Sequence, residues 1–458
     1  MELSARGLAA GIWGLLAANV AALGPHEIVI VANSNSPSSL VIAREYAVLR
    51  QVPGPNIVSV GLPAGRCDPT AVLTPDEFES FIWTPVTNIL ATRGIDRHVL
   101  AWVYSLDFPV RVRIGNQEMS LTGLTFLRNH PPTETQIRDG SMSSPLFAGP
   151  EKPWARGFGS QTFEEQRQWL GDDMPLPAMM LGVTNSFANT IDEVRSCLRR
   201  GAASDGTRPF GMVYYITNTD VRTRVREWQF RAAVEELERR GIPAAITNDL
   251  PSGGGAAIGI MHGMGAFNPA RSNLYPAGFI GEHLTSNGAI FSGHEQTRLS
   301  AWIGAGATAS SGTVAEPYAM WMKFPNARLF VHYTAGCTII ESFYQSIRAP
   351  LQILPVGDPL ASPWQPKATV VIMGLEGDLP AADTREVTAA VRTRESGLFF
   401  TRYLFLLDGR QQGEPVIYPE LTLKFDGLTS GVHTLRCVAS TPGPIRFQAF
   451  GEIAFTKP

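Results

Sequence analysis

Residues 27–50 read EIVIVANSNSPSSLVIAREYAVLR, and this stretch decides the fold class. Glu27 to Ala32 is a continuous apolar, β-rich run of strand length. Ser36-Pro37 then opens a helix-period segment through Arg50, with a capping serine and a proline at the first helical position. The unit repeats: Asn56 to Val60 reads as a strand, Thr74-Pro75-Asp76-Glu77 starts a helix with acidic residues in its first turn, and Val99 to Tyr104 is a third strand. Strands alternating with helices predict an α/β fold, a mostly parallel sheet covered by helices on both faces.

Outward from that stretch, residues 122–174 are rich in Pro, Gly, Ser and polar side chains and read as a long excursion without firm elements. Regular order resumes with strands at 178–183 and 212–216 and helices at 190–200 and 220–240. In the second helix Val225, Trp228, Ala232 and Leu237 form an apolar stripe, and its arginines and glutamates are expected on a solvated face. Further strands are expected at 244–247, 256–261, 278–284 and 351–356, with helices at 296–304 and 337–347. Beyond Pro366 the pattern changes to short β-rich runs separated by Asp, Gly and Pro turns, the signature of a β-sandwich. The expected organisation is a secretory leader over 1–24, an α/β domain over 25–365 and an all-β domain over 366–458.

A chain of 458 residues is too long for one ordinary core, which agrees with two folded units. A formal charge of −3 and a pI near 6.3 offer no basic field, so nucleic acid is not an expected partner. Arg6 followed by the apolar run from Gly7 to Leu23 has the layout of a secretory signal, although Glu2 weakens its basic end. Export is expected, to the periplasm, cell surface or medium, with no stable membrane span beyond the leader. Cys67, Cys197, Cys337 and Cys437 form no metal or redox spacing, and no pairing follows from the sequence. Gly253-Gly254-Gly255 lacks the lysine of a phosphate loop and the dinucleotide glycine pattern, so it reads as a connector.

Small, turn-forming and polar residues are densest between Ala305 and Trp364. They include Ala305-Gly306-Ala307-Thr308-Ala309-Ser310-Ser311-Gly312, Glu316-Pro317-Tyr318, Gly336-Cys337-Thr338 and Gly357-Asp358-Pro359-Leu360. Together with Thr190-Ile191-Asp192-Glu193-Val194, Gly206-Thr207-Arg208-Pro209 and His283-Leu284-Thr285-Ser286-Asn287-Gly288, these motifs resemble an uncharacterised family of exported bacterial proteins, from about Glu27 to Trp364. That resemblance carries no assigned activity. Asp408-Gly409 and Gly431-Val432-His433-Thr434-Leu435-Arg436 resemble paired strands of immunoglobulin-like modules in bacterial surface proteins.

The chemistry-bearing residues cluster at expected strand ends. His262-Gly263 closes an apolar run, where open α/β sheets place their sites and where an imidazole can exchange protons near neutral pH. The alternative is a loop histidine that only bonds its neighbours. The pair is similar to that of caspase-like cysteine peptidases of the gingipain type, in which His-Gly ends one strand and the nucleophilic cysteine ends the next. Here Thr285-Ser286-Asn287 occupies the second place, and a hydroxyl needs an adjacent base and oxyanion donors to match a thiolate. The candidate catalytic residues are therefore His262 with Ser286 or Cys337. Cys337 precedes a helix whose dipole would lower its pKa, or else it fills space. Gly263, Thr285, Asn287, Ser310, Ser311, Glu316 and Asp358 are the candidate substrate-binding residues, with small-residue amides from Gly306 to Gly312 as oxyanion donors. Asp358, between Gly357 and Pro359, most economically fixes a turn. No cofactor and no metal are expected, since His262, His283 and an acidic partner lack ligand spacing. Two functions follow: an exported peptidase-like hydrolase acting on a peptide or cell-surface substrate, or a noncatalytic surface or binding protein on a degenerate peptidase-like scaffold.

Overall fold

Successive side chains of a strand point to opposite faces, and in the strand Ile28–Asn33 the two sets enter two different cores. Ile28, Ile30 and Ala32 pack with Ile42, Ala43 and Tyr46 of the helix Pro37–Arg50, while Val29 and Val31 pack with Phe78, Val86 and Leu90. Helices therefore cover both faces, as the unbroken apolar run requires. The computed structural model describes residues 22–249, 256–269, 275–375 and 384–457.

The central sheet has ten strands. In chain order they are β1 (Ile28–Asn33), β2 (Ile57–Val60), β3 (Ala101–Tyr104), β4 (Ala178–Met180), β5 (Met212–Ile216), β6 (Ala244–Thr247), β7 (Ala257–Gly263), β8 (Ile280–Leu284), β9 (Ala309–Thr313) and β10 (Ile353–Gly357). Their spatial order is β2-β1-β3-β4-β10-β9-β8-β7-β5-β6. β1 to β4 pair in parallel with one another, as do β5 to β9, and β10 runs antiparallel to β9. The set β1 to β4 and the set β5 to β8 thus repeat one arrangement, with the second strand outermost, then the first, third and fourth. Segments leaving β4 meet segments leaving β8: Asn185 donates to the Phe291 carbonyl and Asn189 to the Ser300 carbonyl, each at 2.9 Å. The carboxyl ends of both sets therefore share one rim.

Several expected elements changed form. The helix expected over 220–240 breaks into Val221–Arg224, a 3-10 turn at Glu227–Gln229 and Phe230–Arg239. The break falls at Arg226, whose side chain turns inward and is fully buried instead of joining a solvated face. Residues 122–174 are more ordered than their composition suggests, with helices Leu121–Phe126, Glu134–Asp139 and Phe163–Leu170. A small sheet of Val72–Leu73, Arg111–Ile114 and Gln117–Ser120 was not foreseen.

From Ala368 onward the chain forms two antiparallel sheets, one of Ala368–Met373, Thr384–Thr393 and Glu420–Lys424, the other of Arg410–Gln411, Arg402–Leu407, Gly431–Ser440 and Gln448–Lys457. Val370, Val387, Phe405, Leu435 and Phe455 share the core between them. Asp408-Gly409 makes a two-residue hairpin turn in which both residues have positive φ, the geometry that favours this dipeptide. These sheets dock beneath the amino ends of the central strands. Gln448 donates to the Glu27 carboxylate at 2.9 Å, and Arg436 donates to the Gln51 carbonyl at 2.7 Å. The carboxyl-end rim is left uncovered by them. No helix among the described residues is long and apolar enough to cross a membrane. Residues 1–21 and Gly253-Gly254-Gly255 lie outside the described residues, so neither the leader nor the connector is placed. All four cysteines are unpaired, Cys67 half-buried and the others buried.

Candidate functional site

His262 and His283 face each other across β7 and β8 in parallel register, so both imidazoles leave the same face of the sheet. Trp302, on the helix Ser300–Ala305, covers that face. The approach is close: a side chain on Gly281, two residues before His283, would begin 2.2 Å from the Trp302 ring. The His262 and His283 rings stack at 5.8 Å, and Phe267 stands edge-on to them at 4.3 and 4.7 Å. Trp302 donates its indole N–H to His283 Nδ1 at 3.1 Å, so His283 Nε2 carries the proton and donates it to the Thr297 carbonyl at 2.9 Å. Burial lowers the His283 pKa to about 4. His262 is 2% exposed, its Nε2 has no hydrogen-bond partner, and burial, then His283 and Arg226, hold its pKa well below the ordinary value. Both rings are neutral near pH 7.

The opposite face of the same two strands holds Glu282. Its carboxylate meets the Arg226 guanidinium at 2.6 Å, with both side chains 0% exposed. Arg226 also donates to the His262 carbonyl at 2.5 Å and to the Pro325 carbonyl at 3.0 Å, tying the loop after β5 to the end of β7. Burial raises the Glu282 pKa against the pull of Arg226. This buried pair was not anticipated, because nothing in the periodicity of 220–240 singles out Arg226.

Of the other candidates, Ser286 and Asn287 are half-buried on the carboxyl-end rim. Ser286 lies three positions beyond the residue opposite His262, in the turn after β8, and no hydrogen bond joins the two. Thr285 donates to Gln296 Oε1 at 2.7 Å, and the Asn287 amide donates to the same oxygen at 3.0 Å. Gly263 is enclosed by Thr223, whose hydroxyl donates to its carbonyl at 2.7 Å and accepts from its amide at 2.9 Å. Ser310 and Ser311 lie inside β9, opposite Val356 and Pro355, with both hydroxyls buried and unpartnered. Residues 309–313 form a fully buried strand paired along its length with β10 and at Ala309 with β8, so they offer no oxyanion donors to an open site. Glu316 is exposed and fixes a turn by accepting from the Tyr318 amide at 2.8 Å.

Cys337 and Asp358 stand elsewhere. Cys337 precedes the helix Ile339–Ser346, whose first amides bond to the Ala361 and Pro359 carbonyls after β10, and it lies on the face opposite His262. Its thiol is 3.6 Å from Gln345 Nε2 and 3.7 Å from the Gln161 carbonyl. Burial, then Glu341, pushes its pKa well up, so desolvation outweighs the helix dipole that the sequence suggested. Asp358 is fully buried, accepts from Tyr46 at 2.8 Å and pairs with Arg50, which also pairs with Asp205. It locks the end of the helix Pro37–Arg50 to the segment after β10, and no ligand can reach it.

Sequence reasoning missed a cluster where the strand order reverses between β1 and β3, the usual ligand crevice of an open α/β sheet. Asp107, with φ +60°, accepts from Ser36 and, at 3.2 Å, from Thr184. Asn33 donates to the Asp107 carbonyl at 3.0 Å and to Cys67 Sγ at 3.3 Å. The signal was present in Asn33-Ser34-Asn35-Ser36, four short polar side chains directly after a buried strand. The matching crevice between β5 and β7 is closed by Asn218 and Thr223, both bonded to the Gly263 carbonyl. Both crevices therefore satisfy their own polar groups. Of four surface clefts of about 540 to 870 Å³, none is lined by His262, Ser286, Cys337 or Asp358. Among the described residues, no three His, Cys, Asp or Glu side chains stand together as metal ligands. No known family model matches the chain, and no curated protein matches it.

Proposed function

We propose that the chain is an exported, noncatalytic binding protein built on a peptidase-like α/β scaffold. One observation carries this reading: the imidazole of His262 is sealed in an aromatic cage with its Nε2 unpartnered, and Cys337 lies on the opposite face of the sheet. A general base must come within hydrogen-bond reach of its nucleophile and hold a pKa near the working pH. His262 meets neither condition. What supports a peptidase-like scaffold is local: His262-Gly263 ends β7, and Thr285-Ser286 follows the adjacent parallel strand β8, the positions of histidine and cysteine in caspase-like and gingipain-like enzymes. The two C-terminal antiparallel sheets, with the Asp408-Gly409 hairpin, support an immunoglobulin-like module as the second unit. We also propose export with cleavage no later than Ala22, because Leu23 is buried in the main core and the Gly24 amide donates to Glu27 at 2.7 Å.

The hydrolase reading retains one supporting observation, the half-buried Ser286 on the same rim as His262. It requires the imidazole to leave its cage. Purified full-length protein treated with a fluorophosphonate probe distinguishes the two readings. Binding-protein behaviour gives no labelling, whereas stoichiometric labelling of Ser286 that disappears in His262→Gln would establish the hydrolase.

A further inference from the structure

A cleft of about 830 Å³ lies where the C-terminal sheets meet the amino ends of the central strands, away from the rim considered above. Its volume is in the range that holds a small molecule, and junctions between units are a favoured place for such sites. Its floor is polar and underused. Glu27 is 5% exposed and spends only Oε2 on its hydrogen bonds from Gly24 and Gln448. His26 Nδ1, both ring nitrogens of His98 and Gln448 Oε1 have no hydrogen-bond partner. Ser440 is 5% exposed, stands opposite Gln448 in the sheet, and its hydroxyl makes no hydrogen bond among the described residues. Those nitrogens and the amide oxygen are themselves shut off from solvent, so the polar groups left to face the cleft are the Ser440 hydroxyl and the second Glu27 oxygen.

The walls narrow its chemistry. Leu100, Leu404 and Val438 give apolar contact. Carboxylates of Glu164 and Asp96 and guanidinium groups of Arg402 and Arg167 line the same cleft, so a strongly charged ligand of either sign would meet like charge. Glu164 and Arg402 already neutralise each other at 3.0 Å. The polar groups that face a ligand are a hydroxyl and a carboxyl oxygen. A ligand hydroxyl is a neutral group that can donate to one and accept from the other. We infer that this cleft binds a neutral, hydroxyl-rich ligand of mono- to disaccharide size, with Glu27 and Ser440 as its polar contacts.

The inference deepens the binding-protein reading and rests on it, but it fails separately, because that reading is decided by probe labelling at Ser286. Saturation-transfer NMR on the full chain, with glucose, galactose and N-acetylglucosamine at about 10 mM each, reads binding down to weak millimolar affinity. Transfer to at least one sugar is expected, with affinity reduced about fivefold or more in Ser440→Ala, the weight of one hydrogen bond. Ser440→Ala removes an oxygen that bonds to nothing, so its melting temperature should match the wild type. Glu27→Gln, which keeps an acceptor for Gly24, serves as the second variant. Retention on immobilised polysaccharide, released or not by the free sugar, separates a polymer end from a free saccharide as the source. Absence of transfer to all three sugars, binding unchanged in both variants, or preferential binding of choline or citrate would overturn the inference.

Discussion

Replacing Arg226 with methionine removes a cation from a site where nothing else can compensate. Its guanidinium serves Glu282, the His262 carbonyl and the Pro325 carbonyl, and neither Arg226 nor Glu282 has any exposed side-chain surface. Breaking a buried pair by removing one partner leaves a desolvated charge and costs about 3–5 kcal/mol. The expected loss for Arg226→Met at pH 7 lies in that range. It should also depend on pH. In the variant Glu282 is buried without a cation, so its folded pKa exceeds the unfolded value near 4.5, and the folded state binds the proton more readily. The penalty therefore shrinks as pH falls through the folded pKa towards about 4.5 and grows as pH rises. Arg226→Met combined with Glu282→Leu should recover to within about 1 kcal/mol of wild type, because a well-packed apolar pair replaces the ions. Urea denaturation followed by circular dichroism at pH 5, 7 and 8, with a double-variant cycle, measures all three. A loss below about 1 kcal/mol for the single variant at pH 7 would refute the reasoning, since that is the range of an exposed, water-screened pair.

Gly281→Ala should destabilise the protein by about 1–3 kcal/mol in the same assay, because its methyl group would begin 2.2 Å from the Trp302 ring; an unchanged midpoint would mean that Trp302 does not press on β8. Iodoacetamide should alkylate Cys67 in the native protein and reach Cys197, Cys337 and Cys437 only in denaturant, as peptide mapping by mass spectrometry would show; native labelling of Cys337 would contradict its burial. His98→Phe should make stability less sensitive to acid. Burial lowers the pKa of His98 from 6.5 to about 4, so on acidification the unfolded chain takes its proton first and wild-type stability is lost between those two values. At pH 4, where half of the folded His98 is already protonated, the two proteins should differ by about 3 kcal/mol. Parallel stability–pH curves for the two would exclude a buried, neutral His98.

The sheet was legible because its strands announce themselves twice. Ile28 to Ala32 has no polar position to face water, and Ser36-Pro37 caps the next helix as anticipated, with the Ser36 hydroxyl accepting from the Ser39 amide at 3.0 Å. Met212–Ile216 and Ala244–Thr247 kept the expected bounds, as did Ala368–Met373 and Arg402–Leu407 in the second unit. Strand order and the antiparallel β10 were not legible, since pairing between distant segments leaves no local period. Residue identity placed His262 at a strand end, but its exposure depends on how the following loop folds Phe267 back onto it and on Trp302, which reaches it from a distant helix. For Cys337, the local rule of a helix amino end lost to burial by elements far away in sequence. Gly357-Asp358-Pro359 looked like a turn, and its partner Arg50 lies 308 positions away. The density of small and polar residues between 305 and 364 marked tight packing around β9 and β10 instead of an open site.

The protonation state of His262 tests the central claim most directly. With histidine nitrogens labelled and His262 assigned through the spectrum of His262→Gln, a titration of the full-length protein should show the ring still neutral as the pH falls through 6.5, the ordinary histidine value, its ring proton slow to exchange with solvent. A His262 that titrates between about pH 6 and 7.5, with rapid exchange, would place the imidazole in water with the pKa of a working base. That result would contradict the binding-protein account.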